Sequence, residues 1–281
     1  MRPRQWTKNF FVFVPLFFDG KVLDPSSLIK ALIAFGLMCL MSSAVYLMND
    51  LADIESDKQH PIKKFRPLPA GQLNPQVARI ASILFALGSL IIAFILEMGF
   101  GIIILSYLVV QIGYTFWLKH VVIFDIMIVA AGFVLRIAAG VAVIEVERFS
   151  PWLYLFGGFL ALFLILGKRR HELVLLGDNA GNHRAILKEY NLDLIDRLLS
   201  TVTTSAIISY SLYTFLAEGL PDNNFMMLSI PFLLFGIFRY LYLIHVREEG
   251  GTPEEIFLRD RVLQSTLILY ALVVFVALYI L

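Results

Sequence analysis

Residues 28–57 read LIKALIAFGLMCLMSSAVYLMNDLADIESD. From Leu28 to Met48 the stretch is mostly apolar, with Lys30 its one charged residue, and its length suits a helix that crosses a hydrocarbon core at about 1.5 Å per residue. It runs directly into Asn49-Asp50-Leu51-Ala52-Asp53-Ile54-Glu55-Ser56-Asp57. If the helix continues there, Asp50, Asp53 and Asp57 lie within about 60° of arc, with Asn49 alongside. A solvated helix end usually mixes charge signs at i,i+4 spacing. Three like charges on one stripe instead suit a hard divalent cation, and Mg²⁺ commonly takes one or two carboxylates, then water and substrate phosphates.

The rest of the chain fits a spanning helix at that position. It has 281 residues, 59% hydrophobic, 16% charged, with mean hydropathy +0.78. A soluble domain carries roughly 25% charged residues, so lipid is the main solvent. Further apolar runs lie near 77–97, 99–117, 121–144, 151–167, 198–217, 225–245 and 262–281. A shorter run at 6–18 follows a basic start and lacks a small-residue cleavage site, so it reads as a retained ninth span. The expected fold class is an all-α integral membrane bundle of about nine transmembrane helices. Residues 1–281 form one polytopic domain, with large polar loops near 49–75 and 168–197.

Charge distribution orients the bundle. With the N-terminus cytoplasmic, eighteen of the 23 Lys and Arg fall in cytoplasmic segments. The opposite side holds only Lys21, Lys30 and Arg148, while Arg136 and Arg239 lie within spans. This bias is the positive-inside pattern. The expected location is the cell membrane, with the chemistry on the cytoplasmic side. The opposite-side loops, such as Glu145–Ser150, are short connectors. The single cysteine, Cys39, excludes an internal disulfide or a Cys/His metal set and reads as a buried apolar residue.

Immediately after the acidic stripe comes His60-Pro61-Ile62-Lys63-Lys64-Phe65-Arg66-Pro67. Acid followed by base within one loop suits a metal–phosphate site, in which cations neutralise the phosphate oxygens that the metal leaves. Arg66 is the stronger phosphate ligand; Lys63 and Lys64 read equally well as headgroup anchors. The second loop opens Gly167-Lys168-Arg169-Arg170-His171-Glu172. Its three cations are either membrane anchors or a site for an anionic headgroup, and Glu172 either restrains an Arg or adds a metal ligand. Asp178, Asp193 and Asp196 form no tight stripe, and His60, His171 and His183 lack zinc-like spacing. Asp125 and Arg136, inside a span, are expected to face the bundle interior. Gly250-Gly251 is a turn feature, and no Walker loop, GxGxxG, GxSxG or HExxH occurs.

The stripe Asn49-Asp50-x-x-Asp53-x-x-x-Asp57, closing the second of about nine spans, resembles the first motif of the UbiA prenyltransferase superfamily. Tyr114…Lys119 is similar to the Tyr/Lys motif at the end of that superfamily's fourth span, and the resemblance covers essentially the whole chain. It implies helices around a membrane-open cavity, with Asn49, Asp50, Asp53 and Asp57 toward Mg²⁺ and diphosphate. Ordinary members carry a second acidic motif where this chain has Gly167-Lys168-Arg169-Arg170. One acidic motif suits one metal-bound diphosphate, and a basic motif opposite it suits a monophosphate partner. With Arg2-Pro3-Arg4-Gln5-Trp6-Thr7-Lys8-Asn9 and Leu258-Arg259-Asp260-Arg261, the set resembles the decaprenyl-phosphate phosphoribosyltransferase branch.

That branch implies transfer of phosphoribose from phosphoribosyl pyrophosphate to a polyprenyl phosphate, toward arabinose donors for cell-wall polymers. The expected catalytic residues are Asp50, Asp53, Asp57 and Arg66. Substrate contacts are expected from Lys8, Lys63, Arg66, Tyr114, Lys119, Lys168, Arg169, Arg170, Glu172, Asp260 and Arg261. The expected partners are the two substrates and the membrane, with no nucleic acid; the sequence leaves room for a homo-oligomer. A prenyl-diphosphate-dependent prenyltransferase and a non-enzymatic anion transporter are the competing classes. Lys168–Arg170 argues against the first. The second usually binds near the midplane, on broken helices, whereas this acidic cluster lies at a span end.

Overall fold

A computed structural model of the chain describes residues 2–59, 63–144, 146, 149–176, 185–221, 223–247 and 253–281. His60, Pro61, Ile62, Glu145, Arg148, Asp178, His183, Arg184, Gly250 and Gly251 lie outside the described residues. Eleven α-helices and no strands occur among the described residues. They are α1 (Val14–Phe18), α2 (Pro25–Ala52), α3 (Ile54–Gln59), α4 (Pro75–Leu96), α5 (Met98–Phe116), α6 (Phe124–Val143), α7 (Pro151–Leu176), α8 (Leu192–Leu216), α9 (Ile230–His245), α10 (Pro253–Arg259) and α11 (Arg261–Tyr279).

Short polar signals set where the long helices begin. Asp24 accepts from the Ser27 backbone N–H at 2.9 Å and Asn74 from that of Gln76 at 2.8 Å, each followed by proline at the first helical position. Such a cap satisfies an orphan donor, and proline's fixed φ suits the first turn. Asn191 and Asp260 cap α8 and α11 in the same way.

Seven helices among the described residues are long and apolar enough to cross a membrane: α2, α4, α5, α6, α7, α11 and the segment Phe225–His245 that contains α9. The all-helical membrane expectation therefore holds, whereas the count of nine is not established. The two remaining expected spans differ in kind. The first is a 3₁₀ helix, Pro3–Phe13, passing into α1. At about 2.0 Å per residue in the 3₁₀ part and about 1.5 Å in the α part, these sixteen residues reach about 30 Å. The other is α8, whose Ser/Thr-rich sequence and the charges Asp193, Asp196 and Arg197 in its first two turns dilute its apolar character.

The largest difference from the sequence reading is at α7, which passes the expected end at 167 and remains helical to Leu176. A helix need not stop where its side chains turn polar, and Arg169 and Glu172 support the extra turns as an i,i+3 pair at 2.8 Å.

The helices group into two compact units. The first comprises Met1–Phe17, Lys21–Ile128 and Gly132–Val146. Its core gathers Val12, Met38, Met41, Phe100, Ile104, Tyr107 and Val143. Outward faces of α4 and α5 expose Ile80, Ile83, Leu84, Leu87, Ile91, Ile102 and Val109, which suits contact with lipid chains. Arg136 is buried in this unit. It donates to Asn9 Oδ1 at 2.7 Å, to the Gly132 carbonyl at 2.6 Å and to the Tyr107 hydroxyl at 3.0 Å, and its guanidinium lies over the Tyr107 ring. Asn9 in turn donates to Ser42 Oγ and Cys39 Sγ, both at 3.2 Å. Cys39 is buried, as expected.

The second unit comprises Phe18–Gly20, Val129–Ala131 and Glu147–Leu281. Here α7 packs along α8, and α9 packs on α11. Aromatic pairs join the helices, with ring centroids 5.0 Å apart for Phe156–Tyr210 and 5.1 Å for Phe163–Tyr240.

In the first unit the 3₁₀ segment lies hard against α6 at Gly140, where a Cβ would sit 2.1 Å from the Val12 carbonyl oxygen. Gly140→Ala is expected to lower the melting temperature of the detergent-purified protein, because backbone must move, a cost of about 1–3 kcal/mol. Gly36→Ala meets nothing within 4 Å and is expected to be neutral or stabilising, since alanine is the better helix former by about 1 kcal/mol. Equal melting temperatures for the two variants would contradict this packing.

Candidate active site

The acidic stripe forms at the end of α2, with one change of shape. Asp53 is the C-cap of α2 (φ −99°, ψ 9°), and α3 resumes at Ile54. The turn keeps helical hydrogen bonds on both sides, Asp53 N–H to the Asn49 carbonyl at 3.0 Å and Asp57 N–H to the Asp53 carbonyl at 2.8 Å. The carboxylates therefore stay close while pointing to different partners.

Each meets a cation from elsewhere in the first unit. Asp50 Oδ1 accepts from Arg2 and, at 3.2 Å, from Arg66. Asp53 Oδ1 accepts from Lys119 Nζ at 2.8 Å. Asp57 Oδ2 accepts from Arg66 Nη1 at 2.6 Å, and its Oδ1 lies 3.9 Å from Lys63. Exposure separates the three acids: the Asp57 side chain is 3% accessible, Asp50 13% and Asp53 27%. Asp57 is thus the buried counter-ion that folds the loop bearing Lys63 and Arg66 back onto α2. Arg2, Tyr46, Asp50, Arg66 and Pro67 line a cavity of about 180 Å³ beside it.

The donor set at the exposed end fits a hard divalent cation. Asp50 and Asp53, three apart on one helix face, present oxygens together with half-buried Asn49. Mg²⁺ asks for one or two carboxylates and fills its shell with water and phosphate oxygen. Among the described residues no three Asp, Glu, His or Cys side chains converge as a complete protein cage. A cation here would therefore take the rest of its shell from water or another ligand.

Lys8 and Tyr114 are both half-buried in the first unit. A larger apolar groove of about 410 Å³ runs between α2, α4 and α5, lined by Ala44, Val45, Met48, Leu51 and Ala52. At about 100° per residue, these positions face nearly opposite the stripe on α2, so this groove does not lead to it.

In the second unit, Arg169 is buried and bonded to Glu172. Arg170 donates to Asp196 at 2.8 Å and to the Ile244 carbonyl at 2.9 Å, tying α7 to α8 and α9. Lys168 and Arg261 are exposed. Asp260 is engaged twice, capping α11 and accepting from Arg239 Nη2 at 2.7 Å.

The UbiA prenyltransferase family model matches residues 10–259. The chain belongs to the UbiA prenyltransferase family. Within curated proteins, it is 34% identical over 280 residues to a decaprenyl-phosphate phosphoribosyltransferase of Mycolicibacterium smegmatis, covering 94% of this chain and 86% of that protein. It is 32% identical over 287 residues to the enzyme of the same name from Corynebacterium glutamicum, covering 100% and 86%. The solved structure of a UbiA homolog from Archaeoglobus fulgidus bound to DMAPP and Mg²⁺ superposes with a TM-score of 0.75 at 18% identity, covering 100% of this chain and 98% of that one. At that identity the match speaks for the UbiA fold alone.

Some polar residues of this UbiA chain escaped the sequence reading. Arg2 was one cation among several near the N-terminus, and nothing local signals that a 48-residue separation closes onto Asp50. Asp196 and Arg239 likewise gain meaning only through Arg170 and Asp260.

The Arg239 hydrogen bond, with the α11 cap, holds the Asp260 carboxyl below its ordinary range despite some opposing burial. A depressed carboxylate contributes stability above its unfolded value of about 3.9 and loses it as pH falls through the folded value. Thermal melts should therefore show the wild type losing stability below about pH 4. Asp260→Asn should start less stable at neutral pH and change less on acidification. Parallel pH profiles for the two proteins would refute this role.

Proposed function

We propose that this chain transfers the 5-phosphoribosyl group of phosphoribosyl pyrophosphate to a polyprenyl phosphate of decaprenyl type, releasing diphosphate. The observation that carries the reading is relatedness along nearly the whole chain to decaprenyl-phosphate phosphoribosyltransferases. The chemistry of the acidic stripe and of the basic segment Lys168–Arg170 supports it.

The scissile bond joins C1 of ribose to a diphosphate oxygen, and the electron pair leaves with the diphosphate. An oxygen of the acceptor phosphate forms the new bond to C1 from the opposite face, inverting that carbon. The acceptor is already ionised near neutral pH, so no strong general base is needed.

Asn49, Asp50 and Asp53 are the residues that would hold Mg²⁺, which when bound supplies positive charge to the diphosphate oxygens. Arg66, anchored by Asp57, donates to the leaving group where negative charge grows; preorganised donors of this kind act most strongly in the transition state. Arg2 and Lys119 neutralise the stripe when no substrate is present, and they are the cations nearest to move onto phosphate. Lys8, Lys63 and Tyr114 complete the donor side. Lys168, Arg169 and Arg170 receive the acceptor phosphate or the ribose 5-phosphate, with Glu172 holding Arg169. Asp260 and Arg261 flank the start of α11 as further polar contacts. The site faces the cytoplasm of a cell membrane, by the bias of basic loops.

The test supplies ribose-labelled phosphoribosyl pyrophosphate, a polyprenyl phosphate and Mg²⁺ to purified protein and counts label in the organic phase. Label is expected only with Mg²⁺ and is expected to vanish in Asp53→Ala. Arg66→Ala should lose about 10²–10³ in kcat, the range for a lost transition-state donor. Lys58→Ala, whose lysine pairs with exposed Glu55, should match wild type. Prenyl transfer from a prenyl diphosphate to a small acceptor, with no lipid label, would overturn the reading.

A further inference from the structure

The second unit contains a cavity unrelated to the residues above. It measures about 200 Å³ and lies where α7 begins and α8 and α11 end. Leu153, on its wall, precedes Arg169 by sixteen residues of one helix, about 24 Å at 1.5 Å per residue. It is therefore remote from the basic end of α7.

Its lining has three features. First, both charged side chains among its described residues are acidic, Asp19 and Glu218. Second, Tyr213 and Ser150 line it, and their hydroxyls are buried with no hydrogen-bond partner among the described residues. Tyr213 is 3% and Ser150 9% exposed. The neighbouring Tyr210 hydroxyl is satisfied by Ser229 Oγ at 2.6 Å, so Tyr213 is not part of that chain. A buried hydroxyl without a partner is costly, and native structures rarely leave one. Third, the walls are aromatic: Phe149 lies on one side, and Phe18 and Tyr213 meet edge to face at 5.7 Å. Gly20 and Gly219 turn the rim at positive φ, +68° and +87°, where other residues are strained.

We infer that this cavity is a binding site for a primary ammonium group. Two carboxylates exclude phosphate and carboxylate ligands. A bare metal ion would leave most of the volume empty and find no ligand on the aromatic walls. An ammonium has three donors and no acceptor, matching the two carboxylates and the hydroxyl oxygens, and its charge is favoured by aromatic faces. A quaternary ammonium lacks those donors and leaves the hydroxyls unsatisfied. The opening at the helix ends is the depth of lipid headgroups, so the ammonium belongs either to an ethanolamine headgroup or to a small free amine.

The experiment reads lipid retention and is independent of transfer activity. Wild-type protein is placed in nanodiscs of mixed phosphatidylethanolamine, phosphatidylcholine and phosphatidylglycerol, and retained lipid is identified by native mass spectrometry. Free ethanolamine and choline are titrated separately against detergent-purified protein by calorimetry. The ethanolamine lipid is expected to be enriched about tenfold over the choline lipid, roughly one charge-assisted hydrogen bond. Ethanolamine binding without lipid enrichment would assign the site to a free amine. Asp19→Asn with Glu218→Gln should abolish either signal, and Tyr213→Phe should weaken it with an unchanged gel-filtration profile. Equal retention of the three lipids together with no ethanolamine binding overturns the proposal, as does equal affinity for choline. The last two measurements use wild-type protein, so they stand even where a variant fails to fold.

Discussion

Arg66 bridges Asp50 and Asp57, and the rest of the acidic site depends on that contact. Asp57 is buried, and a buried carboxylate is tolerable only when paired, since removing one partner leaves an uncompensated charge. The pair therefore fixes the loop from Lys63 to Leu73 against α2, and backbone bonds such as Leu73 N–H to the Pro67 carbonyl at 3.0 Å hold the return. Leu68 then packs with Leu47 and Ala78, joining the loop to α2 and α4. Of the three acids, Asp57 does the holding, which leaves Asp50 and Asp53 nearer solvent.

This division explains how three acids can share one stripe. Three carboxylates on one helix end repel one another, and the chain answers with cations drawn from separate elements: Arg2 from the N-terminal segment, Lys63 and Arg66 from the following loop, and Lys119 from the end of α5. Such pairs at partly exposed positions are individually weak. Four cations from separate parts of the first unit thus balance the charge of the stripe.

The sequence was informative wherever one dimension suffices. Span lengths, the charge asymmetry and the Asn49…Asp57 spacing all act locally, and the seven membrane-length helices among the described residues and the clustered acids follow from them. What spacing cannot encode is which way each acid turns after the break at Asp53, or which distant cation it meets. Asp57 has the periodicity of a ligand, yet burial pairs it with Arg66. Asp260 has the look of a loop contact, yet it caps α11 and holds Arg239. The helical extension to Leu176 was hidden for a related reason: polarity marks the membrane edge, whereas hydrogen bonding marks the helix end.

The buried Arg136 shows how far from the stripe the site's geometry is set. Its partners are neutral oxygens of Asn9, Gly132 and Tyr107, an expensive arrangement for a charge within a span. Asn9 is also bound to Ser42 and Cys39 of α2, and Trp6 Nε1 donates to Ser43 Oγ at 3.1 Å. Together these bonds fasten the 3₁₀ segment along α2 at two successive levels. Arg2 lies at the far end of that segment, over the Tyr46 ring and against Asp50. The segment behind it is anchored in a buried polar network and lies close against Gly140. The cost of burying Arg136 is thus balanced against a defined position for Arg2, linking the core of the first unit to the carboxylate beside the cavity.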